Sequence, residues 1–215
     1  AARPYGLIDA GANFGYWSIV ASSAPYGRHP AVAIEASRDN FRRLVHNAQA
    51  NGGRFHTLHR AVLDVSGRQV RLFGRKHYGL SLRPDWHPDD ADQTETVESV
   101  TLDQVADDYL ADRTHPPLLK VDVEGVEIEA MRGARRLIEE GALVIYEDHG
   151  KEASHRISRY VLSLEAVALW HVGKDGRPSP VGALGELDAI KQNPKLGYNF
   201  FFHRRASPWA AVFEA

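Results

Sequence analysis

The sequence predicts an α/β fold built on a mostly parallel sheet, with helices on both faces of that sheet. Short apolar strand patterns alternate with amphipathic helix patterns through the first half of the chain, which is typical of βαβ units. The first strand pattern, residues 6–10, runs into a glycine-containing turn and then directly into a helix pattern. A near-continuous apolar run at 118–123 is typical of a buried parallel strand.

Length and composition predict one ordinary globular domain covering residues 1–215. Hydrophobic residues make up 43% of the chain and charged residues 25%, and the net charge of -2 shows no footprint for a nucleic-acid partner. The chain has no cysteine, which excludes disulfides and thiolate zinc sites and favours a cytoplasmic location. No apolar run approaches the ~20 residues of a membrane span. Residues 1–4 do not resemble a signal peptide, so we expect either a minimal protein or a piece of a longer one.

The first half of the chain contains three strand and two helix patterns. Strands are predicted at 6–10, 31–35 and 55–62, and the first helix follows the glycine turn. The second helix has an i, i+3, i+4, i+7 apolar face, a cap at Ser37, Asp39 or Asn40, and a stop at 51–53. The face consists of Phe41, Leu44, Val45 and Ala48.

Residues 74–98 interrupt this rhythm after a short strand at 70–73. The segment is polar, contains prolines and has no periodicity, so we predict a substrate-side loop. His77, Trp86 and His87 are its candidate acceptor contacts. A strand at 97–102 and a helix near 102–109 follow.

The second half starts with the buried strand at 118–123 and a helix whose apolar face is Val126, Ala130, Ala134 and Ile138. Gly133 is predicted to allow close packing of this helix. A strand follows at 143–146. Two more strands, 166–170 and 198–202, are predicted to pair antiparallel, with a second substrate-side loop at 173–197 between them.

The turn after the first strand is the strongest functional signal. Its residues 9–15 read D-x-G-x-N-x-G and not the G-x-G-x-x-G of dinucleotide-binding proteins. Glu35 ends the second strand about twenty residues later, where a carboxylate meets the ribose hydroxyls of a bound nucleoside in Rossmann-like folds. A solvated acid at a strand end is the alternative interpretation of Glu35.

A second cluster lies around the buried strand. Lys120 and Asp122 share one face of it, and Asp122 falls at its carboxyl end, where ligands bind in open α/β sheets. Each member also has a structural explanation: Lys120 as the partner of a neighbouring acid, Glu124 as a helix cap, and Glu127 as a solvated acid in a first helical turn. A third cluster, residues 147–149, reads Glu-Asp-His.

These clusters leave several roles open. If the strands before them are neighbours, His149 is a candidate general base and Asp122 with Asp148 a candidate metal site. An ordinary surface histidine is the alternative for His149, and we assign no metal ligand among the other histidines. The metal remains the less favoured hypothesis.

Separated blocks of the chain resemble the FkbM family of methyltransferases. They are IDAGANFGYWS, AIEAS, RAVLDVSG, VTLDQV, LLKVDVEGVEIEAMRGA and IYEDH, and together they cover most of residues 8–149. The resemblance implies a Rossmann-like class I methyltransferase fold with a seven-stranded, mostly parallel sheet and an antiparallel C-terminal strand. It also implies S-adenosylmethionine as cofactor, S-adenosylhomocysteine as product, and a hydroxyl acceptor on a sugar, glycan or natural product.

Carried over by position, the resemblance assigns candidate residues to the two substrates. Those bordering the transferred methyl group are Asp122, Glu124 and His149. Those binding the cofactor are Asp9, Ala10, Gly11, Ala12, Asn13, Phe14, Gly15, Glu35, Ala36, Ala61, Val62 and Asp122.

Two other function classes compete with this hypothesis. An NAD-dependent oxidoreductase on the same sheet would also use Glu35, although the G-x-G-x-x-G and Tyr-x-x-x-Lys patterns are absent from the sequence. A non-catalytic cofactor-binding domain of a larger glycan-modifying protein would bind S-adenosylhomocysteine without turnover. The oligomeric state and the acceptor are not predicted by any pattern.

Overall fold

The structure is a computed structural model that describes residues 4–74, 80–83, 93–110, 116–150 and 152–214. The predicted acceptor contacts His77, Trp86 and His87 lie outside these residues. The chain divides into two compact units, residues 1–135 and 136–215. Whether the chain acts as a single domain over 1–215 stays a prediction.

The first unit contains seven strands and four α-helices among its described residues. In chain order they are β1 (Leu7–Ala10), α1 (Tyr16–Ala21), β2 (Ala31–Glu35), α2 (Arg38–Ala50), β3 (His56–His59), β4 (Ala61–Val62), β5 (Gln69–Phe73), β6 (Gln93–Val100), α3 (Leu102–Tyr109), β7 (Leu118–Val121) and α4 (Glu127–Arg132).

A fully parallel sheet forms the centre of the first unit, in the order β7-β1-β2-β3. Leu7 pairs with Ala31 on one side and with Leu118 on the other. Every residue of β1 and β2 is buried, as expected for parallel strands covered on both faces. The predicted α/β class and parallel sheet are confirmed.

The first helices follow the prediction closely. The Ser37 hydroxyl caps α2 by accepting from the backbone N–H of Asn40, and Leu44 and Ala48 are buried on the predicted face. Leu44 and Ala48 belong to a cluster with Ala12, Ala21 and other buried residues of β1 and β2. Since Ala12 of the glycine turn belongs to this cluster, the turn packs against α2 through it.

Two elements of the first unit that were predicted to be continuous are each interrupted in the structure. The strand at 55–62 is split at Arg60, because β3 stays in the central sheet while β4 pairs with β6 in a second sheet of order β4-β6-β5. The predicted helix over 126–138 is interrupted after α4. At the break, a Cβ on Gly133 would lie 2.1 Å from the Leu63 carbonyl oxygen, which confirms the predicted close packing of this glycine.

The second unit contains α5 (Arg135–Glu139), which begins at the boundary, and then β8 (Leu143–His149), α6 (Arg156–Leu162), β9 (Val167–Val172), β10 (Pro178–Val181), α7 (Leu184–Ile190), β11 (Gly197–Arg204) and α8 (Ala210–Phe213). Its strands are ordered β10-β9-β11-β8 and all three pairings are antiparallel.

The predicted antiparallel pair is confirmed, with Leu169 opposite Phe202. The segment 173–197 was predicted to be a loop, but it contains β10 and α7. Four strands here and four in the parallel sheet of the first unit make one more than the seven predicted, and β10 is the strand that no pattern indicated. No helix in the described part of the chain is long and apolar enough to cross a membrane.

Candidate active site

The first unit has a cavity of about 370 Å³ at the carboxyl ends of its parallel strands. This volume lies within the range of small-molecule sites, ~300–1,000 Å³. The walls come from the glycine turn, from the ends of β2 and β7, and from Ala61 and Val62 of β4. Leu72, Leu80 and Leu82 add an apolar wall. The site therefore has the position that open α/β sheets use for ligands.

The glycine turn passes too close to the chain after β7 to carry a side chain at its first glycine. A Cβ on Gly11 would lie 1.8 Å from the Asp122 carbonyl oxygen, and Gly11 has a φ of 74°. The backbone N–H groups of Gly11 and Ala12 both donate to the Ile34 carbonyl, at 3.0 and 2.9 Å. The turn is thus fixed to β2 on one side and packed against Asp122 on the other.

Glu35 is held rigidly at the cavity wall. Its Oε2 accepts from the backbone N–H of Asn13 at 2.8 Å, and its Oε1 accepts from that of Ser37 at 2.9 Å. The residue is only 8% exposed, and this burial raises the pKa of its carboxyl despite both hydrogen bonds. The Asn40 side chain also forms a hydrogen bond with this carboxylate, so of its roughly four acceptor sites about one is left for a ligand hydroxyl. The prediction of a merely solvated strand-end acid is wrong.

Lys120 connects the two chain segments that meet at the cavity. Its Nζ donates to the Gly11 carbonyl at 2.8 Å and lies 3.3 Å from Asp122 Oδ2 and 3.6 Å from Asp9 Oδ1. Burial acts to lower the pKa of Lys120, but the carboxylates of Asp9 and Asp122 outweigh it and raise the pKa. Lys120 therefore stays charged, with acids on both sides.

Asp9 supports the turn from below. It is fully buried, and its Oδ2 accepts from the Ser18 hydroxyl at 2.9 Å. Burial raises the pKa of Asp9, against the opposing effects of Lys120 and Ser18. Among the predicted cofactor residues, all of them described, Asp9, Ala10 and Gly15 do not line the cavity, whereas the others do.

Two further acids follow β7 at the cavity wall. Asp122 has a side chain 36% exposed and paired with Lys120, and Glu124 adopts a left-handed backbone with φ 51°. Glu127 is 1% exposed and its Oε1 accepts from the Gly125 N–H at 2.8 Å, so the alternative of a solvated helix acid is wrong. Asp122 and Glu124 are thus the acids placed at the cavity.

Residues 80–83 lie within the segment that was predicted to be a substrate-side loop, but sequence reasoning missed the contacts that place them at the cavity. Ser81 pairs with Phe73 as an isolated β-bridge, and its hydroxyl donates to the Glu124 carbonyl. These bonds hold Leu80 and Leu82 at the cavity wall. The missed cavity residues also include Tyr16 and Trp17, which are large and exposed at the start of α1. Two adjacent aromatic residues directly after the glycine turn were the pattern from which these cavity residues could have been predicted.

The third predicted cluster belongs to the second unit. His149 ends β8, with its Nε2 4.0 Å from Glu147 Oε2, and its role as general base stays a prediction. Asp148 accepts from Lys191 Nζ and from the Ser158 hydroxyl, both at 2.7 Å. These donors occupy one carboxylate oxygen each, which argues against Asp148 as a metal ligand. Within the described ranges, no group of three or more His, Asp or Glu side chains is arranged to hold a metal ion.

Comparisons with known proteins agree with this geometry. The family model described as the methyltransferase FkbM domain matches residues 9–166. A search of the curated proteins gave no significant match. The crystal structure of methyltransferase FkbM from Methylobacillus flagellatus KT is 17% identical with a TM-score of 0.53, over 93% of this chain and 43% of that chain. This chain therefore spans less than half the length of that protein, and the likeness shows a shared fold.

Two further solved structures are similar at lower scores. The precorrin-6y C5,15-methyltransferase of Geobacter metallireducens GS-15 is 10% identical over 94% of this chain and 81% of its own, with a TM-score of 0.48. An O-methyltransferase from Bacillus cereus, in complex with SAH, is 11% identical over 93% of this chain and 73% of its own, with a TM-score of 0.47.

Proposed function

Since this chain belongs to the FkbM methyltransferase family, we propose that it transfers a methyl group from S-adenosylmethionine to a hydroxyl of a small-molecule or glycan acceptor. The observation that carries this proposal is one cavity with Glu35 fixed at one wall and Asp122 with Glu124 at another. The first wall suits the ribose of a nucleoside, and the second suits a hydroxyl that must lose a proton.

The cavity residues fit S-adenosylmethionine on two independent features. The turn at Gly11 packs against the Asp122 carbonyl with no room for a side chain, so the turn and the chain after β7 border the cavity side by side. The buried carboxylate of Glu35 lines the cavity and has acceptor capacity left for a hydroxyl such as those of a ribose. Glu35 would hold the ribose, the turn at 11–14 the methionine part, and Ala36, Ala61 and Val62 the adenine.

When bound, S-adenosylmethionine supplies an electrophilic methyl group on a sulfonium. The part of the protein is positioning, which accounts for most of the rate in a displacement of this kind. Asp122 accepts the proton of the acceptor hydroxyl, and Glu124 orients that hydroxyl. Lys120 Nζ lies 3.3 Å from Asp122 Oδ2 and donates to the Gly11 carbonyl. It therefore fixes the distance between the turn that would hold the methyl donor and the aspartate that would receive the proton of the acceptor.

Calorimetric titration with S-adenosylhomocysteine and, separately, with NADH tests the donor site. We expect micromolar binding of S-adenosylhomocysteine that is lost in Glu35→Ala, and no heat with NADH. Binding of NADH in place of S-adenosylhomocysteine would support the oxidoreductase alternative and overturn this proposal. A non-catalytic domain would bind S-adenosylhomocysteine but transfer no methyl group.

Transfer of a labelled methyl group to a panel of hydroxylated acceptors tests the catalytic role of Asp122. At saturating donor, Asp122→Asn should lower turnover at least about a hundredfold, because general-base catalysis contributes ~10²–10⁴-fold. Asp64→Asn is the matched control, since Asp64 is an exposed acid of the same unit and does not line the cavity. Full turnover in Asp122→Asn would remove that residue from the mechanism.

A further inference from the structure

Two large aromatic side chains stand exposed at the wall of the cavity. Tyr16 is 67% exposed and Trp17 is 54% exposed, and both line the cavity from the first turn of α1. Their ring centroids are 5.2 Å apart with an angle of 78° between the planes. This edge-to-face contact fixes the two rings against each other, so that together they form a defined surface.

A ligand that covered this surface would bury a large apolar area. Aromatic rings bury ~150–250 Å² each when they are covered, and they dominate the energetics of interfaces for that reason. Core packing does not explain their position, because the buried face of α1 is formed by Ser18 and Ala21. The rings face a cavity whose other walls are already assigned to a nucleoside and to a hydroxyl, so we take the acceptor as their occupant.

The charges of the same cavity restrict that acceptor. Among the described residues, three acids line it, namely Glu35, Asp122 and Glu124, whereas the two cations that line it, Lys120 and Arg60, have acidic partners. Lys120 is paired with Asp122 and Asp9, and Arg60 Nε lies 3.3 Å from Glu98 Oε1. A carboxylate or phosphate on the acceptor would meet an acidic wall, whereas hydroxyls would meet hydrogen-bond acceptors.

We propose that Tyr16 and Trp17 form a platform for a neutral pyranose ring of the acceptor, in which the face of Trp17 stacks on the C–H face of the sugar and the Tyr16 ring, at 78° to it, contacts the edge of the sugar. Such a ring has an apolar face for the aromatic surface and a rim of hydroxyls for Asp122 and Glu124. The two residues are specificity determinants, and they take no part in proton transfer. This inference rests on the proposed function, because it assigns the acceptor of the same site.

Saturation-transfer NMR on the protein loaded with S-adenosylhomocysteine tests the platform. The probes are the methyl glycosides of glucose, galactose and rhamnose, with methyl glucuronide as the charged counterpart of the glucoside. We expect at least one neutral glycoside to bind, and Trp17→Ala and Tyr16→Ala each to weaken it about fivefold or more. The glucuronide should bind about fivefold more weakly than the glucoside or not at all.

Matched variants separate a specific platform from a general loss of structure. Trp17→Phe keeps an aromatic face and should bind the glycoside within about twofold of the wild type. Tyr26→Ala removes an aromatic ring that is 59% exposed and does not line the cavity, and it should bind like the wild type. All four variants should keep their affinity for S-adenosylhomocysteine within about threefold, which also shows that they fold.

Three results would overturn the inference: no neutral glycoside binds, Trp17→Ala binds it as the wild type does, or the glucuronide binds as tightly as the glucoside. Titration with S-adenosylhomocysteine on the same samples distinguishes this failure from that of the proposed function. If S-adenosylhomocysteine binds and the glycosides do not, the platform alone is wrong. If S-adenosylhomocysteine itself fails to bind, the proposed function and the platform fall together.

Discussion

Among the described residues, each unit contains a largely buried lysine that is paired with an aspartate, and the two pairs differ in how far they are closed off from solvent. In the second unit, Lys191 and Asp148 have side chains 1% exposed and are joined at 2.7 Å. The three donors of Lys191 reach Asp148, the Glu152 carbonyl and His155 Nδ1. Ser158 serves the remaining oxygen of Asp148.

Lys120 in the first unit is held more loosely and beside a cavity. Its distances to Asp122 and Asp9 are 3.3 and 3.6 Å, and the Asp122 side chain is 36% exposed. Within the described part of the chain, the buried Oδ1 of Asp9 accepts no hydrogen bond shorter than 3.5 Å, and Lys120 Nζ lies 3.6 Å from it. A closed network stabilises a fold, whereas a lysine with an exposed acid beside a cavity keeps capacity to interact with a ligand. The comparison therefore predicts that the pair in the second unit is structural and that the pair in the first unit takes part in ligand binding.

Removal of the closed pair should have the largest effect on stability. Lys191→Met leaves the Asp148 charge buried without its partner, which costs about 3–5 kcal/mol of unfolding free energy. Urea unfolding followed by circular dichroism measures this loss. The double variant Lys191→Met with Asp148→Asn removes both charges and should recover most of it. A single variant as stable as the wild type would mean that this network is not structural.

Removal of the open lysine should act on binding. In Lys120→Met the Gly11 carbonyl loses its donor and the acids at the cavity lose their counter-charge, so affinity for S-adenosylhomocysteine should fall about tenfold or more. Calorimetry measures this change. Lys191→Met is the matched control: once its titration is corrected for the fraction that is unfolded, its affinity for S-adenosylhomocysteine should be within about twofold of the wild type. If Lys120→Met and Lys191→Met lowered the affinity for S-adenosylhomocysteine equally, the two lysines would not differ in their role in binding.

Glu35 allows the functional side of the comparison to be tested by pH. Burial raises its pKa above the ordinary 4.5, so its carboxyl is protonated at the acidic end of the range and ionises as the pH rises. Ribose hydroxyls donate more strongly to the ionised form, so affinity for S-adenosylhomocysteine should rise about tenfold as the pH increases from 4.5 through the raised pKa.

The pH dependence of stability should have the opposite sign. A raised pKa in the folded state gives a contribution that is present below pH 4.5 and is lost as the pH rises through the folded value. Calorimetry and thermal unfolding between pH 4.5 and 7.5, with Glu35→Gln as the reference, measure both trends. Identical pH profiles of affinity in the wild type and Glu35→Gln would show that Glu35 does not bind the cofactor.

The sequence was sufficient to predict features whose residues lie close together along the chain or stand at the ends of parallel strands. The start of α2 was predicted to be capped by Ser37, Asp39 or Asn40, and Ser37 is the cap. The glycine turn and the place of Glu35 were also predictable, because the carboxyl ends of parallel strands meet at one edge of a sheet. The partners of Lys120 were also within reach, since Asp122 shares its face of the strand.

Contacts between distant segments without periodicity were not predictable. Ser81 reaches the Glu124 carbonyl across 43 positions, and its surroundings in the sequence show no strand or helix pattern. The split of the predicted strand at Arg60 depends on pairing of β4 with β6, which lies more than thirty positions further on. Likewise, β10 contains two prolines, and among the described strands it pairs only with β9. A short segment with two prolines indicates a loop, so no strand was predicted there.

The smallest effect is expected at Glu152, which lies next to the closed network and is itself partly exposed. Its carboxylate accepts from the hydroxyl and backbone N–H of Ser154 and from the backbone N–H of Arg156 at the start of α6. Burial acts to raise the pKa of Glu152, but these hydrogen bonds lower it.

A lowered pKa contributes stability above pH 4.5 that is lost as the pH falls through the folded value. Glu152→Gln should therefore cost about 0.5–1 kcal/mol of unfolding free energy at pH 7 and less at pH 4, by urea unfolding. A cost that does not change with pH would assign the effect to the shape of the turn and not to its charge.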